Sequence, residues 1–228
     1  MIDIAVVDYG MGNLRSVAKA LEHVAPDAAV VVTGEPDAVR EARRVVFPGQ
    51  GAMPDCMREM DARGLREPLL DAARRKPFLG LCIGLQMLFD WSEEGDVQGL
   101  GVLRGRVVRF PPGRMIGDRG EKLKVPHMGW NQVHQTVRHP LWAGIADLSR
   151  FYFVHSYYVE PEDHNIVAGT SRYLFAFTCA VARNNIFAVQ FHPEKSQSAG
   201  LRLLSNFVQW DALAASSCPD TALRIAGA

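Results

Sequence analysis

The sequence predicts an α/β fold: a mostly parallel central sheet flanked by helices, with an antiparallel extension in the second half. In the first ninety residues, short apolar runs alternate with segments whose apolar residues recur at helical spacing, which is the pattern of a parallel sheet covered on both faces. Later strand-like runs follow one another mainly through turns and loops. A chain of 228 residues with 48% hydrophobic content can bury one sizeable core without splitting. A single domain over residues 1–213 is therefore expected, followed by a tail at 214–228.

The first apolar run, Ile4 to Val7, leads as a strand into the loop Asp8-Tyr9-Gly10-Met11-Gly12-Asn13, after which Leu14, Val17, Ala18 and Leu21 repeat at helical spacing. Ala29 to Val32 forms a second strand, and Val45 to Phe47 a third that stops at Pro48-Gly49. Phe78 to Leu81 forms a fourth, followed by helix-spaced Leu85, Leu88 and Phe89. In the second half Val102 to Phe110, Phe151 to Val159, Leu174 to Val181 and Ile186 to Phe191 read as strands of the extension. A closing helix carries Leu203, Leu204, Phe207 and Val208 on one face. Pro111 to Lys124 and Glu160 to Asn165 lack periodicity and read as solvated loops, and the Ala/Ser-rich stretch beyond Leu213 reads as a loose tail.

Lys and Arg balance Asp and Glu at 25 each, so charge gives no reason to expect nucleic acid or an anionic membrane as partner. Cys56, Cys82, Cys179 and Cys218 lie far apart without a Cys-x-x-Cys pair, which suggests cytosolic thiols and neither a zinc knuckle nor a disulfide framework. The N-terminus lacks a basic region followed by a long apolar stretch, and no apolar run reaches membrane-spanning length. The expectation is a soluble cytoplasmic protein acting on a small molecule.

Gly80-Leu81-Cys82-Ile83-Gly84-Leu85-Gln86 sets a cysteine between two glycines where an apolar strand meets a helix. This is the arrangement of a nucleophile elbow, whose strained turn needs small neighbours. Taken alone, Cys82 reads equally well as an ordinary buried cysteine. Val189-Gln190-Phe191-His192-Pro193-Glu194 is a buried strand ending at a proline. Residues two apart on extended chain share a side, so Glu194 can orient the His192 ring. A lone His beside an acid is commonly a surface group, but with Cys82 the set supplies nucleophile, base and orienter. Amide cleavage also needs backbone N–H donors for an oxyanion, which the turn Pro48-Gly49-Gln50-Gly51 offers although it also reads as a simple strand end. Gln86, one helical turn beyond Cys82, is a candidate to bind an amino-acid substrate. All these groups follow strands in the sense that gathers them at one rim of a parallel sheet.

With these motifs in view, the sequence resembles the class I (triad) glutamine amidotransferases over nearly the whole chain to about residue 213. Within them it is most similar to the glutaminase subunits of imidazole glycerol phosphate synthases, through Asp8 to Leu14, Pro126-His127-Met128-Gly129-Trp130-Asn131 and Val189 to Ser196. The resemblance implies a Cys82–His192–Glu194 triad that hydrolyses L-glutamine through a glutamyl-thioester, with no metal or organic cofactor. Gly49 and Gly51 are the implied oxyanion turn, and His155, Ser156 and Tyr157 the segment lying against bound glutamine. Asn13, Met128, Trp130 and Lys195 match positions facing a partner cyclase subunit of (β/α)8 form, which uses the ammonia to make imidazole glycerol phosphate and an aminoimidazole carboxamide ribotide. Capping for Asn13 and core packing for Trp130 are the plainer alternatives. Gln50 departs from the Pro-Gly-Val-Gly frequent in this group. The competing readings are a stand-alone cysteine hydrolase of γ-glutamyl compounds and a non-catalytic binding subunit.

Overall fold

The structure, a computed structural model, describes residues 1–111 and 123–212. The expected tail at 214–228 and most of the expected loop from Pro111 to Lys124 lie outside the described residues. The first half runs β1 (Ile4–Val7), α1 (Leu14–Val24), β2 (Val30–Thr33), α2 (Pro36–Glu41), β3 (Arg44–Gly49), α3 (Met53–Ala62), α4 (Arg66–Arg75), β4 (Phe78–Cys82) and the short α5 (Ile83–Gln86). It continues with β5 (Phe89–Ser92), β6 (Val97–Gln98), β7 (Leu103–Arg109), β8 (His127–Gln132), β9 (His134–Gln135) and β10 (Arg150–His155). The last elements are β11 (Tyr157–Pro161), β12 (Val167–Tyr173), β13 (Phe175–Arg183), β14 (Ile186–Val189) and α6 (Gln197–Gln209).

Strands β2, β1, β3, β4 and β14 pair in that order, all parallel. Their side chains alternate between two cores. Ile4, Val6, Leu79, Leu81, Phe187 and Val189 pack with Val17 and Leu21 of α1 and with Leu203, Leu204 and Phe207 of α6. Val7, Val45, Phe47, Phe78, Ile186 and Ala188 pack on the opposite face with Met53, Met57 and Met60 of α3 and Leu69 of α4. Both faces are covered, which is why these strands read in the sequence as unbroken apolar runs. The antiparallel extension continues from β14 through β13, β11 and β7.

Several elements differ from expectation for identifiable reasons. Leu88 and Phe89 do not continue a helix: α5 ends at Gln86, and Phe89–Ser92 is a strand paired with β6 and β7. The run from Phe151 to Val159 is two strands broken at Ser156, with β10 in a separate two-stranded sheet with β8 and β11 in the main sheet. Ile186 to Phe191 belongs to the parallel block as well as the extension, because β14 lies beside β4. Leu174, at φ 67°, is the corner between β12 and β13. The expected loop at Glu160 starts inside β11. No helix among the described residues is long and apolar enough to cross a membrane.

Candidate active site

Strand β4 ends at Cys82, whose backbone has φ 54° and ψ −110° and caps α5. That left-handed conformation in a residue with a side chain is the strain of a sharp strand-to-helix elbow. Gly84 makes the turn possible, since a Cβ there would lie 1.9 Å from the carbonyl oxygen of Phe47 on β3. Cys82 is 5% exposed. Its sulfur accepts a hydrogen bond from Gln190 Nε2 at 3.6 Å and lies 4.0 Å from the Val154 carbonyl oxygen.

Because β14 runs parallel to β4, with Val189 opposite Leu81, the chain following β14 arrives at the rim where Cys82 stands. His192 is 8% exposed, and its N–H donates to the Tyr152 carbonyl at 2.9 Å. Its Nδ1 lies 2.9 Å from Glu194 Oε1, with the Glu194 side chain 1% exposed. Nε2 has no hydrogen-bond partner of ordinary geometry. Burial alone would disfavour the charged ring, but the charge and hydrogen bonding of Cys82, and then of Glu194, outweigh it and push His192 up to about 10. The three groups therefore favour an imidazolium between a sulfur and a carboxylate.

The turn after β3 is pinned from behind. Tyr9 Oη donates to the Pro48 carbonyl at 2.9 Å, and Cys56 Sγ to the Gln50 carbonyl at 3.5 Å. Burial pushes the Cys56 thiol up to about 11, which keeps it a donor. A trans peptide points its N–H opposite to its C=O, so the Gly51 N–H is turned away from α3. The Cα of Gly49 packs closely behind the turn, where a Cβ would meet Tyr9 Oη at 2.4 Å and Ile83 Cβ at 2.8 Å. Its glycine serves packing.

Gly51, Cys82, Gln86, His155, Ser156, Tyr157, His192 and Lys195, expected from four segments of the sequence, line one pocket of about 250 Å³ together with Gln50 and Ile83. The Tyr157 carbonyl accepts from His155 Nδ1 at 2.8 Å and from Gln86 Nε2 at 3.2 Å, which commits both of its lone pairs. Met128 and Trp130, on β8, are 66% and 38% exposed. Trp130 meets Tyr152 edge-on with ring centroids 6.2 Å apart, and Lys195 Nζ lies 5.9 Å from the Tyr152 ring centroid. Core packing is thus excluded for Trp130. Asn13 stands at the head of α1 without a side-chain cap, its Oδ1 accepting from Ser16 instead. A larger groove of about 770 Å³ beside Trp91, Arg106 and Phe175 contains neither Cys82 nor His192.

The sequence reading did not single out Ile83 or Gln190. Ile83 directly follows the nucleophile, where an elbow offers a backbone N–H. Gln190 precedes His192 by two, the same-side spacing used for Glu194, and that signal was available.

The family model described as "Glutamine amidotransferase class-I" matches residues 5–210. The imidazole glycerol phosphate synthase subunit HisH of Nitrosospira multiformis is 71% identical over 92% of this chain and 99% of its own length. The HisH subunit of Thiobacillus denitrificans is 69% identical over 92% of both. The chain belongs to the class-I glutamine amidotransferases, in the HisH group. Solved structures agree on the fold: PurLQS from Thermotoga maritima superposes with a TM-score of 0.65 at 18% identity, covering 92% of this chain and 99% of that one. The glutaminase domain of Trypanosoma brucei CTPS, with bound acivicin, gives 0.60 at 16%, covering 92% and 95%. In this glutamine amidotransferase two buried polar atoms of the pocket residues, Gln86 Oε1 and His192 Nε2, lack partners. They are an acceptor and a ring nitrogen that a bound amide could engage.

Proposed function

We propose that the chain is the glutaminase subunit of an imidazole glycerol phosphate synthase, which hydrolyses L-glutamine to glutamate and ammonia and passes the ammonia to a cyclase subunit. The observation that carries this reading is the meeting of Cys82 and His192 in one rim pocket, with Glu194 held against the ring. The Cys82 thiolate attacks the side-chain amide carbon of glutamine, and the carbonyl π electrons move to oxygen. Backbone N–H groups of Gly51 and Ile83 face that oxyanion, each such donor contributing roughly 2.7–4 kcal/mol. On collapse the C–N bond breaks, and His192 Nε2 gives its proton to the departing nitrogen, forming ammonia and a glutamyl-thioester. Water then attacks the thioester, His192 takes its proton, and glutamate leaves with the sulfur restored. Glu194 keeps the ring oriented through both halves, and Gln86 Oε1 accepts from the substrate's donor groups.

Free ammonia is mostly protonated at neutral pH and no longer nucleophilic, so delivery requires a covered route. Met128 and Trp130 are exposed on β8, Trp130 and Lys195 both meet Tyr152, and Lys195 lines the pocket; these residues, with Asn13, are the docking surface for the cyclase subunit. The same reading assigns the chain to the cytoplasm, supported by free thiols at Cys56, Cys82 and Cys179. The test is to mix the protein with a cyclase subunit and follow product formation from glutamine. Cys82→Ala should abolish the glutamine-dependent reaction while ammonium salt restores it. Glutamine-dependent turnover by Cys82→Ala would overturn the assignment.

A further inference from the structure

We infer that Gln190 is a further catalytic residue: its side-chain amide donates to the Cys82 thiolate, and Gln86, itself oriented by the Tyr157 carbonyl, holds it in that orientation. The inference deepens the proposed function and rests on Cys82 being the nucleophile.

The Tyr157 carbonyl is also held by an arm of hydrogen bonds from Asn131 through His127 and His155, whose direction is forced at both ends. At the outer end, the backbone N–H of Gln132 donates to Asn131 Oδ1 at 2.8 Å, and Asn131 Nδ2 donates to the Arg172 carbonyl at 2.8 Å. These two backbone groups fix which side of the amide is nitrogen. The nitrogen also lies 3.2 Å from His127 Nε2, so that ring atom must accept and carry no proton. The proton of a neutral His127 then sits on Nδ1, which is 2.9 Å from His155 Nε2 and donates to it. His155 in turn carries its proton on Nδ1, facing the Tyr157 carbonyl at 2.8 Å. A carbonyl oxygen only accepts, so the inner end demands the same tautomer independently. A second proton on either ring would set two N–H groups against each other, and burial accordingly pushes His127 down to about 4 and His155 down to about 3.

From the Tyr157 carbonyl a separate arm runs to the sulfur, donating in the opposite sense along the chain. Gln86 meets the Tyr157 carbonyl at 3.2 Å and must do so with its nitrogen, whose other proton goes to Gln190 Oε1 at 3.0 Å. Gln190 is left with its Nε2 toward Cys82 Sγ at 3.6 Å. Gln86 and Gln190 are both fully buried, so water does not compete for these bonds. The amide thus offers a fixed donor to a sulfur that becomes anionic.

The experiment uses the whole chain with its cyclase subunit and reads the rate of Cys82 carboxamidomethylation by iodoacetamide against pH, with the site mapped by mass spectrometry. Gln190→Met, close in shape but without a donor, should slow alkylation at pH 7 about tenfold, the size of one hydrogen bond to a charged group, and move the profile to higher pH. Superimposable profiles would overturn the role of Gln190 while leaving the nucleophile in place. Gln86→Met removes the donor that holds Gln190 Oε1 and should also slow alkylation; an unchanged rate overturns the part assigned to Gln86. In the unaltered protein, 15N–1H correlation spectra should show His155 protonated at Nδ1, toward the Tyr157 carbonyl; an Nε2-protonated His155 would set two acceptors face to face and overturns the placement of the carbonyl that orients Gln86. Loss of glutamine turnover in Cys82→Ala tests the underlying function separately.

Discussion

Gly84→Ala is the sharpest test of how the fold builds its nucleophile. The new methyl carbon would lie 1.9 Å from the Phe47 carbonyl oxygen, a backbone atom of the buried β3, whereas real contacts of this kind begin near 3.0 Å. One of the two backbones must retreat by about 1 Å, and β3 is held between β1 and β4, so α5 is the part that moves. Ile83 and Cys82 immediately precede Gly84, and the shift therefore displaces both the sulfur and the N–H beside it. A misplacement of about 1 Å costs on the order of 100-fold in turnover, and the overpacking costs about 1–3 kcal/mol in stability. Steady-state ammonia release in the presence of the cyclase subunit, with denaturant melts on the same samples, measures both. Full activity together with unchanged stability would refute the claim that the elbow depends on this close approach. Gly80→Ala, whose Cβ would meet Ala188 Cβ at 2.9 Å, should fall between wild type and Gly84→Ala.

Three histidines desolvated by the fold, His127 and His155 buried and His139 half-buried, make the protein acid-labile. Burial holds His127 and His139 down to about 4 and His155 down to about 3, and His139 Nδ1 accepts the Leu141 N–H. The unfolded chain takes up these protons below about pH 6.5 while the folded one does not, so each group removes about 1.4 kcal/mol of stability per pH unit as pH falls. Together they remove roughly 4 kcal/mol per unit, and circular dichroism should show acid unfolding between about pH 4 and 6, given domain stabilities of about 5–15 kcal/mol; a fold intact at pH 3.5 contradicts this. His192 works in the opposite sense, since its raised pKa contributes stability that is complete below about pH 6.5 and lost as pH rises through about 10. Glu194→Gln removes one of the charges holding that value up, so the alkaline limb of stability and activity should move to lower pH, with kcat reduced roughly 10²–10⁴-fold. Trp130→Ala should weaken binding of the cyclase subunit by about 1–4 kcal/mol in calorimetry, the range for an aromatic anchor at an interface; an unchanged Kd removes Trp130 from the docking face.

The sequence by itself determined the parallel block and the identity of the reacting groups. Ile4–Val7, Val45–Phe47 and Phe78–Leu81 are apolar on both faces because helices cover both, and that condition is written in local composition. Cys82 and His192 were legible because an elbow and a strand end need glycine and proline at fixed offsets from the functional side chain. Tertiary structure alone decided the rest. The break at Ser156 cannot be read locally, because both flanking segments favour strand and only their partners, β8 and β7, differ. The need for glycine at position 49 depends on Tyr9 and Ile83 packing against it. The two arms of hydrogen bonds that meet at the Tyr157 carbonyl, one from Asn131 and one to Cys82, join groups from four separated segments, and their directions are set by backbone carbonyls and amides that no spacing rule brings together. Side-chain type follows from local chemistry, whereas the direction of a buried hydrogen bond follows from which distant group has already been committed.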